Sequence, residues 1–179
     1  MPSVIVRVSL YTYNTQGRIA MVSRIKKNID IVSIGLLTGL FSGLSRAMYY
    51  QGEDWYMTLL LPALTPAHWV FGVVWSCLYI FFACALTQLV RGYKHTVYYR
   101  LVLLLFLLTA LLSLAWSYIF FVHRSIPGAL VDCIVIEFLL ITIINLTWKD
   151  ARSIALLVLP IALWIAFALY INYKILVLN

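Results

Sequence analysis

The chain has 179 residues, of which 64% are hydrophobic and 11% are charged, and its formal net charge is +7. A soluble globular domain carries about 25% charged residues, so this composition excludes an ordinary soluble domain and predicts one compact membrane domain. A nucleic-acid partner is also excluded, because the basic residues flank apolar segments and do not form a patch of their own.

Five segments are long and apolar enough to cross a membrane as helices, each near the roughly 20 residues that a span requires. They are Ile29–Ala47, Trp69–Val90, Leu101–Val122, Gly128–Thr147 and Ile154–Leu178. The ten-residue alternation of a membrane barrel is absent, and backbone groups in hydrocarbon must bond within their own segment. The predicted fold class is therefore all-α, an integral membrane bundle of five transmembrane helices.

The chain divides into a polar, basic tail, residues 1–28, and the membrane domain, residues 29–179. We expect the tail to be disordered. Residues 1–20 are expected to be disordered or to result from the choice of start codon, because MVSRIKKN from Met21 resembles an ordinary bacterial start before a first span.

The first span carries Gly35, Gly39 and Gly43, two overlapping GxxxG steps. Small residues at this spacing let helix backbones approach closely. We predict that this stripe packs within the bundle, and dimerisation through it is the alternative.

The connection to the second span contains Pro62 and Pro66, which restrict the backbone and predict a shaped, non-helical loop. The next helix is expected to start near Thr65, with Pro66 in its first turn. Glu53 and Asp54 would make the beginning of the loop acidic.

On the second helix Gly72, Trp75 and Tyr79 fall at i, i+3 and i+7, along one stripe, with Phe71 beside it. A glycine beside large rings predicts a recess with an aromatic wall. The alternative for the tryptophans and tyrosines of this region, Tyr56 among them, is the aromatic belt at the membrane interface. Trp75 fits that alternative poorly because it lies nearly two turns inside the helix.

The third span places Thr109, Ser113, Trp116 and Phe120 on one face, and its hydroxyls are expected to bond to helix carbonyls. The fifth span again has a stripe on one face, formed by a large ring at Trp164, a small side chain that leaves a gap at Ala168, and an amide at Asn172. This span is expected to begin or kink near Pro160. Two helices thus each offer an indole beside a small residue, which suits a flat aromatic guest.

The fourth span holds Asp132 and Glu137, which project about 140° apart and so do not form a paired acid and base. Asp132 is expected to favour the positive end of its helix or to pair with Arg124. The three cysteines are not placed to form a disulfide framework, and no metal cluster or required cofactor is predicted.

The aromatic layout resembles the translocator protein family, also called tryptophan-rich sensory proteins or mitochondrial benzodiazepine receptors (TspO/MBR). The resemblance covers about residues 30–175 and rests on motifs in order, roughly one per expected helix. They are WY at 55–56, HWVFGVVWSCLY at 68–79, LAW at 114–116, ALVD at 129–132 and LPIALWIAFALYINY at 159–173.

The resemblance implies a five-helix membrane protein, often dimeric, with a pocket beneath the loop between the first two helices. Implied ligands are protoporphyrin or haem-type tetrapyrroles and other planar apolar molecules. The ligand-binding residues expected from this resemblance and from the stripes are Trp75, Trp164, Trp116, Tyr56, Tyr79, Ala168 and Phe71.

The function expected is that of a tetrapyrrole-binding sensory or regulatory membrane protein. The alternatives are a light-dependent porphyrin-degrading enzyme, in which Trp75 and Trp164 would be the catalytic residues, and a small-molecule or sterol transporter. A bacterial cell membrane is favoured over the mitochondrial outer membrane.

The positive-inside rule orients the chain, because ten of the 13 Lys and Arg residues fall on one side of the predicted spans. We expect a cytoplasmic N-terminus and a C-terminus outside. A reporter enzyme that folds only outside the cytoplasm, fused after Asn179, should therefore be active. Activity of only the matched cytoplasmic reporter would reverse the orientation.

Overall fold

The computed structural model describes residues 32–179. All the regular secondary structure of these residues is helical, and none of them lies in a strand. Helix α1 covers residues 32–56 of the described part. The following helices are α2 (His68–Gly92), α3 (Tyr99–Ser117), α4 (Ile126–Thr147) and α5 (Arg152–Leu178), and a π-helical segment, Tyr118–Val122, continues α3. The predicted all-α fold is confirmed; the predicted tail, residues 1–28, lies outside the described residues.

Four helical stretches of the described chain are long and apolar enough to cross a membrane: α2, α3 with its π-helical segment, α4 and α5. Their outward faces carry large apolar side chains such as Phe138, Leu163 and Val73, which are well exposed in the isolated chain. Hydrocarbon solvates such faces, whereas water would not. The chain is a multi-pass membrane protein.

Helix α4 is central, because it packs extensively against α5 and against α3. Helix α2 packs mainly against α5 and more lightly against α3, which closes the ring of these four helices. The core between them is made of fully buried side chains, including Phe106, Leu140, Ile143, Ile154 and Val158.

Helix α3 does not run uninterrupted to Val122, as the apolar pattern predicted. The last five residues of the predicted span form the wider π-helical segment, and the His123 amide that follows donates to the Tyr118 carbonyl at 2.9 Å. Arg124 then adopts a left-handed φ of 56°, and the Ser125 hydroxyl caps α4 by accepting from the Gly128 amide. A wider turn rotates the side chains that follow it, which a periodicity of 3.6 cannot anticipate.

Two predicted boundaries beside the first loop were wrong. Helix α1 continues nine residues past Ala47, so Glu53 and Asp54 lie in the helix and not in the loop. Helix α2 begins at His68, later than the predicted Thr65, because Ala67 remains extended at ψ 147° after Pro66.

Helix α5 begins at Arg152 and continues through Pro160, so the expectation that the span begins near Pro160 was wrong. Proline removes one backbone donor but leaves the neighbouring helical bonds available. Packing against α4 and α2 holds the helix on both sides of that position.

The glycine stripe of α1 does not pack within the bundle. A Cβ added at Gly35, Gly39 or Gly43 would meet no atom of the described chain within 4 Å. The close approach occurs at Gly52, where an added Cβ would lie 2.7 Å from the Cβ of Phe121 and 2.8 Å from its carbonyl carbon. Helix α1 is therefore fixed to the bundle near its end and not along its stripe.

The Gly52→Ala variant should destabilise the protein, because the added methyl group would meet the Phe121 backbone, which cannot rotate away. Overpacking of this kind costs about 1–3 kcal/mol, and a thermal melt in detergent should show it. The matched control is Gly72→Ala on α2, where an added Cβ has open space and alanine favours the helix. An equal melting temperature for both variants would contradict the close contact at Gly52.

Candidate ligand site

The aromatic side chains at one end of the bundle form what we name the end cluster. Its members are Trp55, Tyr56, Trp116, Phe120 and Phe121, and we name this end of the bundle the Tyr56 end. Trp116 stacks on Phe120 with ring centroids 5.1 Å apart and planes 8° apart. Tyr56 is buried and contacts Phe120 and Phe121 edge-on at 6.1 and 6.0 Å.

A second aromatic group joins α2 to α5. Phe71 meets the ring of Trp164 edge-on at 5.9 Å, and Trp164 in turn contacts Phe167 at 5.5 Å. Such contacts between rings add about 0.5–1.5 kcal/mol beyond the burial of area. The sequence stripes of α2 and α5 therefore do meet, and the pair that joins them is Phe71 and Trp164.

An apolar groove of about 420 Å³ lies beside this pair, between α2 and α5. We name it the α2/α5 groove; its walls include Val73, Cys77 and Phe81 from α2 and Pro160, Leu163 and Trp164 from α5. Almost no polar atom faces it. A wall of this composition binds the flat face of an apolar guest and offers no partner for a charged one.

Trp75 is partly buried and packs against the same core cluster as Trp164. Its ring also contacts Tyr79 at 5.8 Å, and the Tyr79 hydroxyl interacts with Ser45 of α1. Among residues 32–179 no direct ring contact joins Trp75 to Trp164. Ala168 is half-buried on α5, one turn from each of Trp164 and Asn172.

The loop between α1 and α2 is held by hydrogen bonds that the sequence did not reveal. The Asn179 side chain accepts from the Leu60 amide at 3.0 Å and donates to the Leu60 carbonyl at 3.2 Å. This pairing joins residues 119 positions apart, so no local pattern signals it.

At the other end of the same loop, Tyr49 donates to Glu53 at 2.9 Å, and its oxygen lies 3.2 Å from Nδ1 of His68. Because the single hydroxyl hydrogen of Tyr49 is donated to Glu53, a hydrogen bond with His68 requires the tautomer in which Nδ1–H donates to the Tyr49 oxygen. The i, i+4 spacing of Tyr49 and Glu53 was the one available signal for this network. Both ends of the loop are thus attached to helices.

Several buried polar side-chain atoms have no hydrogen-bond partner within the described part of the chain. They include Nε1 of Trp116 and of Trp164, Oδ2 of Asp132, Oε2 of Glu137 and both amide atoms of Asn172. The expected pairing of Asp132 with Arg124 is not seen in residues 32–179, where Arg124 faces outward. The Ser113 hydroxyl bonds as predicted, since it donates to the Thr109 carbonyl at 2.8 Å. The same prediction was wrong for Thr109, whose own hydroxyl oxygen is buried and has no hydrogen-bond partner in residues 32–179.

The fold and these contacts define a class: helical multi-pass membrane proteins that pack aromatic side chains between their spans. The family model for the TspO/MBR family matches residues 31–178, and the chain belongs to that family.

Individual relatives agree with this assignment. The chain is 31% identical to the tryptophan-rich protein TspO of Chlorobaculum tepidum, over 85% of this chain and 99% of the relative. It is 32% identical to the human translocator protein, over 75% and 80% of the two chains. It is 24% identical to an uncharacterised membrane protein, YtaB, of Bacillus subtilis, over 84% and 96%.

The Asn179→Leu variant should loosen the loop, because it removes both hydrogen bonds to Leu60. Each bond contributes about 1 kcal/mol, so local opening should become at least about tenfold more frequent. Hydrogen exchange of peptides spanning residues 57–67 measures this directly. The matched control is Asn145→Leu, at an exposed position of α4, and equal exchange in both variants would show that Asn179 does not hold the loop.

Proposed function

We propose that this chain is a membrane tetrapyrrole-binding protein with a sensory or regulatory role. Its ligand is a planar macrocycle of the protoporphyrin or haem type, taken up between the helices. Membership of the TspO/MBR family supports the proposal through the ligands that the resemblance implies.

The observation that carries the proposal is the position of Trp164. This indole lines the apolar α2/α5 groove and is braced from both sides by Phe71 and Phe167. A braced ring presents a flat surface without losing much side-chain freedom on binding. A macrocycle with a large π face gains both stacking and the burial of apolar area at such a surface.

The setting of the protein belongs to the same proposal. Relatives from Chlorobaculum tepidum and Bacillus subtilis support a bacterial cell membrane, and the distribution of basic residues supports a cytoplasmic N-terminus. A homodimer is included on the strength of the resemblance alone.

Replacing Trp164 by alanine should weaken protoporphyrin IX binding at least about tenfold, the equivalent of roughly 1.4 kcal/mol of stacking and burial. Trp75→Ala should have a smaller effect in the same direction, because Trp75 does not line the groove but packs against the core cluster that includes Leu78 of its wall. The measurement is an absorbance titration of protoporphyrin with purified protein in detergent, which does not depend on the tryptophans as reporters.

Trp69→Ala is the matched control, since Trp69 is 72% exposed and lies outside the groove. Unchanged affinity in both the Trp75 and Trp164 variants would place the ligand elsewhere, and no saturable binding by the unmodified protein would refute the function. Repeating the titration under illumination separates binding from breakdown of the porphyrin.

A further inference from the structure

The end of the bundle opposite the Tyr56 end is formed by the connection between α2 and α3 and the connection between α4 and α5, and we name it the Gln88 end. The Ser153 hydroxyl of α5 donates to the side-chain oxygen of Gln88 on α2 at 2.7 Å. Burial raises the pKa of the Tyr98 hydroxyl at the start of α3, and the nearby negative charge of Asp150 raises it further. The two connections therefore lie beside each other.

Positive charge dominates the Gln88 end. Its basic side chains are all exposed, and they are Arg91, Lys94, Arg100, Lys149 and Arg152. Within residues 32–179, Asp150 is the one carboxylate at this end. The guanidinium of Arg152 lies over the Trp148 ring at 5.1 Å, a contact that positions the charge without neutralising it. This end of the bundle therefore attracts anions.

A cavity of about 350 Å³ opens at the last turn of α2. We name it the Gln88 cavity; its lining residues are Thr87, Gln88, Arg91, Gly92 and Tyr93. Because the Gln88 oxygen accepts from Ser153, the amide NH₂ group is the part of that side chain that can donate to a guest. A guanidinium carries five N–H donors, so Arg91 can bind an anion without giving up a contact within the protein. The cavity thus offers donors beside a positive charge.

The face of α2 below the cavity is apolar. Phe81 precedes Gln88 by seven residues, which is two helical turns or about 10 Å, and it lines the α2/α5 groove. Since α2 is long enough to cross the membrane, its last turn lies at the interface where lipid phosphates are found. A phospholipid whose phosphate lies in the cavity therefore has apolar surface for its acyl chains directly below.

We propose that the Gln88 cavity binds the head group of an anionic phospholipid of the phosphatidylglycerol type. The Arg91 guanidinium pairs with the phosphate oxygens, the Gln88 amide donates to them, and the acyl chains lie along α2. Basic pockets between membrane helices bind anionic head groups in this way. The surrounding basic side chains repel the cationic choline of a zwitterionic lipid, which makes the site selective. This proposal goes beyond the proposed function and does not depend on it.

The test compares melting temperatures of the full chain in one detergent with equal mole fractions of dioleoylphosphatidylglycerol or dioleoylphosphatidylcholine. A lipid that binds the folded protein stabilises it, so phosphatidylglycerol should raise the melting temperature by at least about 3 °C more than phosphatidylcholine. In Arg91→Gln and in Gln88→Leu this difference should fall below about 1 °C. Both lipids are compared on the same variant, so a change in its intrinsic stability does not enter the result.

Lys94→Gln is the matched control, because it removes the same charge at the same end from a side chain that does not line the cavity. It should keep the lipid difference of the unmodified protein. An equal loss in Lys94→Gln and Arg91→Gln would show that the whole charged surface attracts the lipid, and would overturn the site. The absence of a lipid difference in the unmodified protein, or its persistence in the two cavity variants, would overturn it as well.

Replacing chloride by inorganic phosphate at constant ionic strength distinguishes a lipid head group from free phosphate. The lipid difference should persist, because the acyl chains add apolar contacts that inorganic phosphate lacks. Disappearance of the difference would assign the cavity to soluble phosphate and overturn the lipid proposal. The two cavity variants are independent, so the test stands if one of them fails to fold.

Discussion

Hydrocarbon offers no hydrogen bonds, and the fold is built on that constraint. Every backbone group inside the membrane must find its partner within its own segment, so α2 to α5 are long helices joined by short connections. The same solvent reverses the usual distribution of side chains, because large apolar residues face outward as readily as inward. Specific packing, and not exclusion from water, then decides how the helices meet.

The described contacts separate a four-helix core from the helix and loop that lie against it. Helices α2 to α5 enclose the core of Phe106, Leu140 and Ile143. Helix α1 meets the bundle at Gly52 against Phe121, while its glycine stripe touches nothing in the described chain. The loop that follows α1 is tied at Leu60 by Asn179 and at His68 by Tyr49. These attachments of α1 and its loop lie toward the Tyr56 end, and the contact between Ser45 and Tyr79 adds one farther along α1.

Much of this architecture could be predicted from the sequence, because hydropathy and length respond to the membrane segment by segment. The bounds of α2, α4 and α5 lie within two residues of the predicted spans at each end. The π-helical segment and the extension of α1 were not predictable in this way, since both depend on contacts with other helices. Gly52 of α1 lies against Phe121 of the π-helical segment, a contact that a pattern read along one segment cannot show.

The candidate site, too, was predictable from the sequence only in part. Periodicity correctly grouped side chains on one face of each helix, so Phe71 does meet Trp164 across α2 and α5. It could not show which ring of α2 makes the direct contact with α5, which is Phe71, whereas Trp75 contacts Tyr79 one turn along its own helix. The pairing of Asn179 with Leu60 also had no local signal, because a hydrogen bond between distant residues depends on the completed fold.

The interior also differs in polarity from one place to another. The α2/α5 groove is almost wholly apolar, whereas Asp132 and Asn172 are buried and carry side-chain atoms that have no hydrogen-bond partner in residues 32–179. Unpartnered polar atoms in a membrane interior cost free energy of folding. The close packing of the apolar core among α2 to α5, together with the ring contacts of the end cluster, must offset that cost for the helices to remain associated.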